Sequence, residues 1–251
     1  MNSLVSVIMP YYKKKNYFLK SINSVLKQTY INLEILIIYD DKNRDDLEYI
    51  ESCVKNDLRV KIIFNDKNKG VAYSRNKATS IACGEYIAFL DCDDYWETNK
   101  IEVQLNFMLT HGYDFSHTTY QVLNYNEKIV GTIRARRTLK YKELLRSCEI
   151  GLSSVILKRK LLSDIKFPEL KTKEDFVLWL SLAKKSVDLV GLDKTLMFWR
   201  KTPNSLSSST LQKLKDAFKV YYLYEKKNFF YSIFCVIRLS TYALFKKINL
   251  Y

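Results

Sequence analysis

The chain opens on a short apolar run, Leu4 to Met9, which Pro10 closes; amphipathic and apolar segments then alternate through its first half. A brief apolar run ended by proline predicts a buried strand. Leu19, Ile22, Val25 and Leu26 follow at a helical period, with Asn16 placed to cap that helix. Glu34 to Tyr39 predicts a second strand. Asp45 and Asp46 then open a helix carrying Leu47, Ile50 and Val54, since acidic residues suit a helix N-terminus. Val60 to Phe64 is a third strand, Gly70 leads into a helix ending at Gly84, and Glu85 to Leu90 is a fourth strand.

Strand and helix alternating in this way imply right-handed crossovers, hence an α/β fold with a mainly parallel central sheet and helices on both faces. In such sheets ligands bind beyond the carboxyl ends of the strands. That rule makes Pro10 to Tyr12, Asp40-Asp41 and Asp91 to Asp94 neighbours in space, because each directly follows a strand. The second half is less regular. It predicts a helix over Glu97 to Leu109, a strand pair over Phe115 to Ile133 turning near Asn124 to Glu127, and short strands at Ser154 to Leu157 and Thr195 to Trp199. Glu174 to Lys184 reads as a helix, and one or two more follow from Thr210.

Composition narrows the chemistry. A chain of 251 residues, 47% hydrophobic, holds one well-packed domain and a small extension. The five cysteines are odd in number and none sits in C-x-x-C spacing, which fits a reducing cytosol better than a disulfide framework or a zinc site. No signal peptide is legible at the N-terminus, so a cytoplasmic protein is expected. The net charge of +14 favours an acidic partner: nucleic acid, an anionic membrane face or a phosphorylated small molecule. It is spread along the chain, and no nucleic-acid motif accompanies it, so no nucleic-acid partner is expected. Only six glycines occur, with neither G-x-G-x-x-G nor G-x-x-x-x-G-K-[ST], which argues against a nicotinamide-type dinucleotide site or a phosphate-cradling loop.

Asp91-Cys92-Asp93-Asp94 puts three acids in four residues at a strand end. Two readings fit: a solvated acidic turn in which Asp94 caps a helix, or ligands for a hard divalent cation, Mn²⁺ or Mg²⁺, that shares a phosphate. The buried strand before the turn aims it at the ligand edge and favours the metal.

Six stretches together carry a family resemblance: VSVIMPYY (5–12), EILIIYDDKNRDD (34–46), NKGVAYSRNKA (68–78), GEYIAFLDCDD (84–94), KEDFVLWLSL (173–182) and MFWRKTPNSLS (197–207). In order and spacing the chain resembles the family-two glycosyltransferases of the glycosyltransferase-A fold. The resemblance implies a Rossmann-like domain and a nucleotide-sugar donor, UDP-linked by default. It implies that Pro10, Tyr11 and Tyr12 line the donor nucleotide pocket with Asp40 or Asp41. Lys42-Asn43 replaces the usual Gly-Ser of that turn. Arg75 would approach the base or phosphates, Asp91 and Cys92 the donor, and Asp93 with Asp94 the metal. Asp175 would be the general base, with Glu174 beside it. Arg200 or Lys201 would stabilise the diphosphate; two places on from Arg200, Thr202 stands where a metal-binding histidine is common. The resemblance implies direct displacement with inversion, and the absence of a Q-x-x-R-W element points to transfer of a single sugar rather than polymerisation.

The expected organisation is a catalytic domain over 1–209, split into a nucleotide-binding half (1–110) and an acceptor-binding half (111–209), and a basic, aromatic helical tail over 210–251. The apolar run Phe229 to Phe245, flanked by Lys226-Lys227 and Lys246-Lys247, is too short to span a bilayer. It suits either an interfacial helix on an anionic membrane or packing on the domain. A lipid-linked or cell-surface glycan acceptor would account for the first. Two other functions are consistent with the sheet and the acids: a nucleotidyltransferase acting on sugar phosphates, and a non-catalytic nucleotide-sugar-binding protein.

Overall fold

The structure, a computed structural model, describes residues 2–135, 138–202 and 209–248, with side chains described as far as 242 in the last segment. Pro203 to Leu206 and Ser207 of the last family stretch, and the side chains of Lys246 and Lys247, lie outside the described residues.

The first half folds as β1 (Val5–Tyr11), α1 (Lys15–Leu26), β2 (Leu33–Tyr39), α2 (Leu47–Val54), β3 (Val60–Phe64), α3 (Val71–Ile81) and β4 (Tyr86–Phe89). Then come β5 (Tyr95–Trp96), α4 (Lys100–His111), β6 (Phe115–Leu123), β7 (Ile129–Ile133), β8 (Thr138–Leu139), α5 (Tyr141–Leu144), β9 (Ile156–Lys158), α6 (Glu174–Lys184) and β10 (Leu189–Arg200). Helices α7 (Thr210–Lys219) and α8 (Phe229–Ile248) close the described chain, joined through a π-helical turn at Val220–Tyr224.

One mixed sheet runs β3-β2-β1-β4-β9-β6-β10-β5, with β7 on β6 and β8 on β10. The block β3-β2-β1-β4 is parallel throughout; β9 runs against it, and β6 and β10 resume the first direction. This is the mixed α/β architecture, with most strands parallel, that the alternation predicts.

Side chains of β1, β2 and β4 alternate between two cores. Ile8, Leu36, Ile38, Ile87 and Phe89 face one cluster with α3, α6 and α8; Val7, Met9, Ile35, Ile37 and Ala88 face the other with α1, α2 and α4. A strand buried on both faces reads as an unbroken apolar run, which is why the period of two was hidden in the sequence.

Three local expectations need correcting. Asn16 is inside α1, whose N-cap is Lys14 and carries no side-chain cap. Pro10 does not stop β1: the strand continues through Tyr11, whose carbonyl accepts from the N–H of Asp40 at 2.8 Å. Gly84 does not end α3, which is capped by Ala82 in extended conformation. Gly84 instead lets the chain pass close to β1. A Cβ there would fall 2.6 Å from both the backbone nitrogen and the hydroxyl of Ser6, which itself accepts from the Gly84 N–H and donates to the buried Glu34. Gly84→Ala is therefore expected to lower stability by about 1–3 kcal/mol, through a clash that no flexible side chain relieves. Thermal unfolding tests it, and an unchanged midpoint would refute the packing argument.

Candidate active site

The site is assembled at the carboxyl edge of the parallel block, and Arg75 on α3 is its centre. The guanidinium is buried, 3% exposed, and forks between two carboxylates from distant parts of the chain. Nη2 donates to Asp91 Oδ1 at 2.6 Å, and Nη1 donates to Glu174 Oε1. Asp91 follows β4 and Glu174 heads α6, so this fork ties the acidic turn to the helix that carries Asp175. The Phe167 ring lies under the guanidinium, its centroid 5.6 Å away. The two carboxylates hold Arg75 firmly protonated against its burial.

Each acid of the turn has a different setting. Asp94 is buried: its Oδ2 accepts from the Ser153 hydroxyl at 2.7 Å and its Oδ1 from the Arg200 N–H at 3.1 Å. Burial, then the neighbouring Asp93 and Asp91 carboxylates, push its pKa well up. Asp93 is partly exposed; its Oδ2 accepts from Lys14 Nζ at 2.6 Å and from the Thr202 hydroxyl at 3.0 Å. Cys92 turns inward into the α1 core, so its thiol is no open contact for a nucleotide.

Among the described residues no group of three or more His, Cys, Asp and Glu forms a metal-holding cluster. Asp91 Oδ2 and Asp93 Oδ1 nevertheless have no protein partner among them. Lys14 and Thr202 already gather positive and polar groups against Asp93. Two carboxylates with a free oxygen each, completed by substrate phosphates, are a donor set that Mg²⁺ or Mn²⁺ accepts, so the residues fit such an ion.

At the head of α6, Lys173 takes a left-handed backbone, φ 68°, which turns the chain sharply into Glu174 and Asp175. Glu174 is buried against Arg75; burial raises its pKa to about 7, against the lowering pull of the Arg75 charge, while Asp175 adds repulsion. Asp175 is partly exposed. Its Oδ1 accepts from the Phe176 N–H at 2.7 Å, leaving Oδ2 without a protein partner among the described residues. Burial also raises the Asp175 pKa, and the Asp91 charge reaches it and adds to the rise.

Further round the edge, Tyr11 is buried between Phe18 and Tyr39 and donates its hydroxyl to Asp46 Oδ2 at 2.7 Å. Asp40 is buried too, accepting from the N–H groups of Lys69 and Gly70 and from Asn65. These two brace the strand ends, whereas Pro10, Tyr12 and Asp41 retain exposed surface. Arg200 is buried with its guanidinium near the rings of Tyr17 and Tyr95 and 3.4 Å from Glu127. Sequence reasoning passed over Lys14, the cation that does meet Asp93. Its signal was a lysine run, 13–15, directly after a strand at the ligand edge. It also passed over Arg44, which covers the rings of Tyr39 and Phe64 where the Gly-Ser turn is missing.

The sequence profile for glycosyl transferase family 2 matches residues 6–163. The Escherichia coli protein UDP-Glc:alpha-D-GlcNAc-diphosphoundecaprenol beta-1,3-glucosyltransferase WfgD is 38% identical over 218 residues, 86% of this chain and 85% of that protein. The putative teichuronic acid biosynthesis glycosyltransferase TuaG of Bacillus subtilis is 34% identical over 249 residues, 98% of each. Among solved structures, S. aureus TarS 1-349 in complex with UDP-GlcNAc superposes with a TM-score of 0.70 at 25% identity, over 88% of this chain and 65% of that one. A mannosyltransferase from Pyrobaculum calidifontis in complex with GDP-Man and Mn²⁺ shares the fold, with a TM-score of 0.70 at 12% identity, over 91% of this chain and 66% of that one. On these matches, the chain belongs to the family-two glycosyltransferases and has the glycosyltransferase-A fold.

Proposed function

We propose that this protein transfers one sugar from a UDP-sugar to a hydroxyl of a lipid-linked glycan acceptor, with inversion, on the cytoplasmic face of a membrane. The observation that carries the reading is the Arg75 fork, which ties the turn-borne acid Asp91 to Glu174, next to Asp175, at the head of α6. The relatives support the substrate classes: WfgD is named for UDP-Glc and a diphosphoundecaprenol-linked acceptor, and TarS was crystallised with UDP-GlcNAc. Membership of a glycosyltransferase family supports this reading over the nucleotidyltransferase alternative.

Asp175 serves as general base. Its carboxylate takes the proton of the acceptor hydroxyl as that oxygen attacks the anomeric carbon from the face opposite the nucleotide. Glu174 and Arg75 act on Asp175 as positioning residues, fixing the helix head that presents it. Asp91 and Asp93 would hold Mn²⁺ or Mg²⁺, which supplies positive charge beside the departing diphosphate. Lys14 adds a cation at the same turn, and a bound ion would compete with it for Asp93. Asp94 sets the shape of the turn through Ser153 and the Arg200 N–H. Pro10, Tyr12 and Asp41 furnish the accessible surface for the base of the donor.

Asp93→Ala tests the reading. Calorimetric titration of UDP with and without Mn²⁺ should show binding that is weaker by about tenfold or more and no longer responds to the metal, as the loss of a charge-assisted ligand predicts. UDP affinity that is metal-independent in the unsubstituted protein would remove the metal from the proposal.

A further inference from the structure

Helix α8 is apolar on two faces. Its inner face packs on the domain: Ser232 and Cys235 are fully buried, and Val236 and Leu239 lie against the core beneath α6. Its outer face presents Phe230, Phe234 and Ile237, which are 83, 54 and 58% exposed and stand at i, i+4 and i+7. Leu223, in the turn before α8, is also exposed. Isolated exposed apolar residues are ordinary, but a continuous stripe marks a surface that meets something.

Charge identifies the occupant. Between residues 210 and 242 the only acids are Asp216 and Glu225, and both are buried. The exposed ionic groups of this stretch, Lys215, Lys219 and Lys226, are all positive. An apolar and aromatic stripe edged by lysines, with no exposed carboxylate, matches the headgroup boundary of an anionic bilayer. A second copy of the chain related by a twofold axis would instead bring the same lysines against themselves. Among the described residues no helix is long and apolar enough to cross a membrane, so the fitting geometry is a helix lying on the surface.

The two buried acids have another task. Asp216 Oδ2 accepts from the N–H and the hydroxyl of Thr172, at 3.0 and 2.9 Å, two residues before Glu174. Glu225 accepts from Lys184 at 2.8 Å, at the far end of α6, and from the Tyr141 hydroxyl. Between them the Phe176 and Tyr221 rings meet edge to face. The tail therefore grips α6 at both ends.

We propose that the outer face of α8 and the turn before it dock flat on an anionic bilayer, and that Asp216 and Glu225 hold α6 at a fixed attitude to that plane. The proposal deepens the lipid-linked acceptor reading by naming the surface on which the acceptor is met. Its test uses neither donor nor acceptor, so the two fail separately.

The full chain is sedimented with vesicles of equal phosphatidylglycerol and phosphatidylcholine, and with vesicles of phosphatidylcholine alone. The chain should sediment with the anionic vesicles and be released by about 0.5 M salt, because ionic contacts at that surface are screened. Phe230→Ser/Phe234→Ser/Ile237→Ser should weaken anionic-vesicle binding by about tenfold or more, as expected from the buried apolar area removed. Lys215→Glu/Lys226→Glu, at exposed positions, should weaken it in the same sense and covers the case in which the triple variant fails to fold. Three results would overturn the proposal: no sedimentation of the unsubstituted chain, binding by the folded variants equal to that of the unsubstituted chain, or a dimer that the triple substitution dissolves without any vesicle binding.

Discussion

Asp175→Asn is expected to cut kcat by about 10²–10⁴-fold, the range of general-base assistance, while leaving UDP affinity within about twofold. The split follows from placement. Asp175 stands at the head of α6 with one carboxylate oxygen held by the Phe176 N–H and the other without a protein partner, so an amide fits the same place but cannot accept a proton. Asp91, Asp93 and Lys14, to which the proposed reading gives the donor, belong to other elements and keep their contacts. Near-full turnover in the variant would dismiss Asp175 as the base; a parallel loss of UDP binding would recast it as a donor contact.

The pH profile adds a sign. Burial raises the pKa of Asp175 above that of an ordinary aspartate, and the Asp91 charge raises it further. A base works deprotonated, so kcat should climb with pH through that raised value and level off above it. Burial raises Glu174 as well, to about 7. Its protonation at lower pH weakens the Arg75 fork and so steepens the acid limb. Glu174→Gln should keep the limb but make it shallower, which separates positioning from proton transfer.

How much of this was legible depended on whether the signal was local. The strand runs of the first half were, because each is short, apolar and bounded by turn residues, and topology alone then gathered Asp40-Asp41 and Asp91 to Asp94 at one edge. The roles of individual side chains were not. Tyr11 and Cys92 sit at strand ends and read as accessible, yet the sheet twists their side chains into the α1 core. Asp40 reads as one of a free pair, but the N–H groups of Lys69 and Gly70, some thirty residues on, claim both its oxygens. Gly84 has the position of a helix stop, and only the passage of Ser6 against it shows why a side chain is excluded. In the tail, one sequence supports both packing and membrane contact, and the structure shows why: α8 has an inner apolar face and an outer one.

Arg75 is the residue on which the largest combined loss is expected. The family resemblance implies a place near the base or phosphates; the structure encloses it between Asp91 and Glu174, with both terminal nitrogens engaged. Removing one partner of a buried ion pair leaves an uncompensated charge, so Arg75→Met should cost about 3–5 kcal/mol of stability. It should also abolish turnover, since the acidic turn and the head of α6 lose their common tether. Arg75→Lys separates the two effects. An ammonium keeps the charge but lacks the planar fork that reaches two carboxylates at once. It should therefore recover much of the stability while kcat stays low. Chemical denaturation followed beside steady-state kinetics reads both quantities. If Arg75→Lys restored turnover fully, the two-pronged geometry would be irrelevant to catalysis; if Arg75→Met unfolded at the unsubstituted midpoint, the fork would hold nothing together.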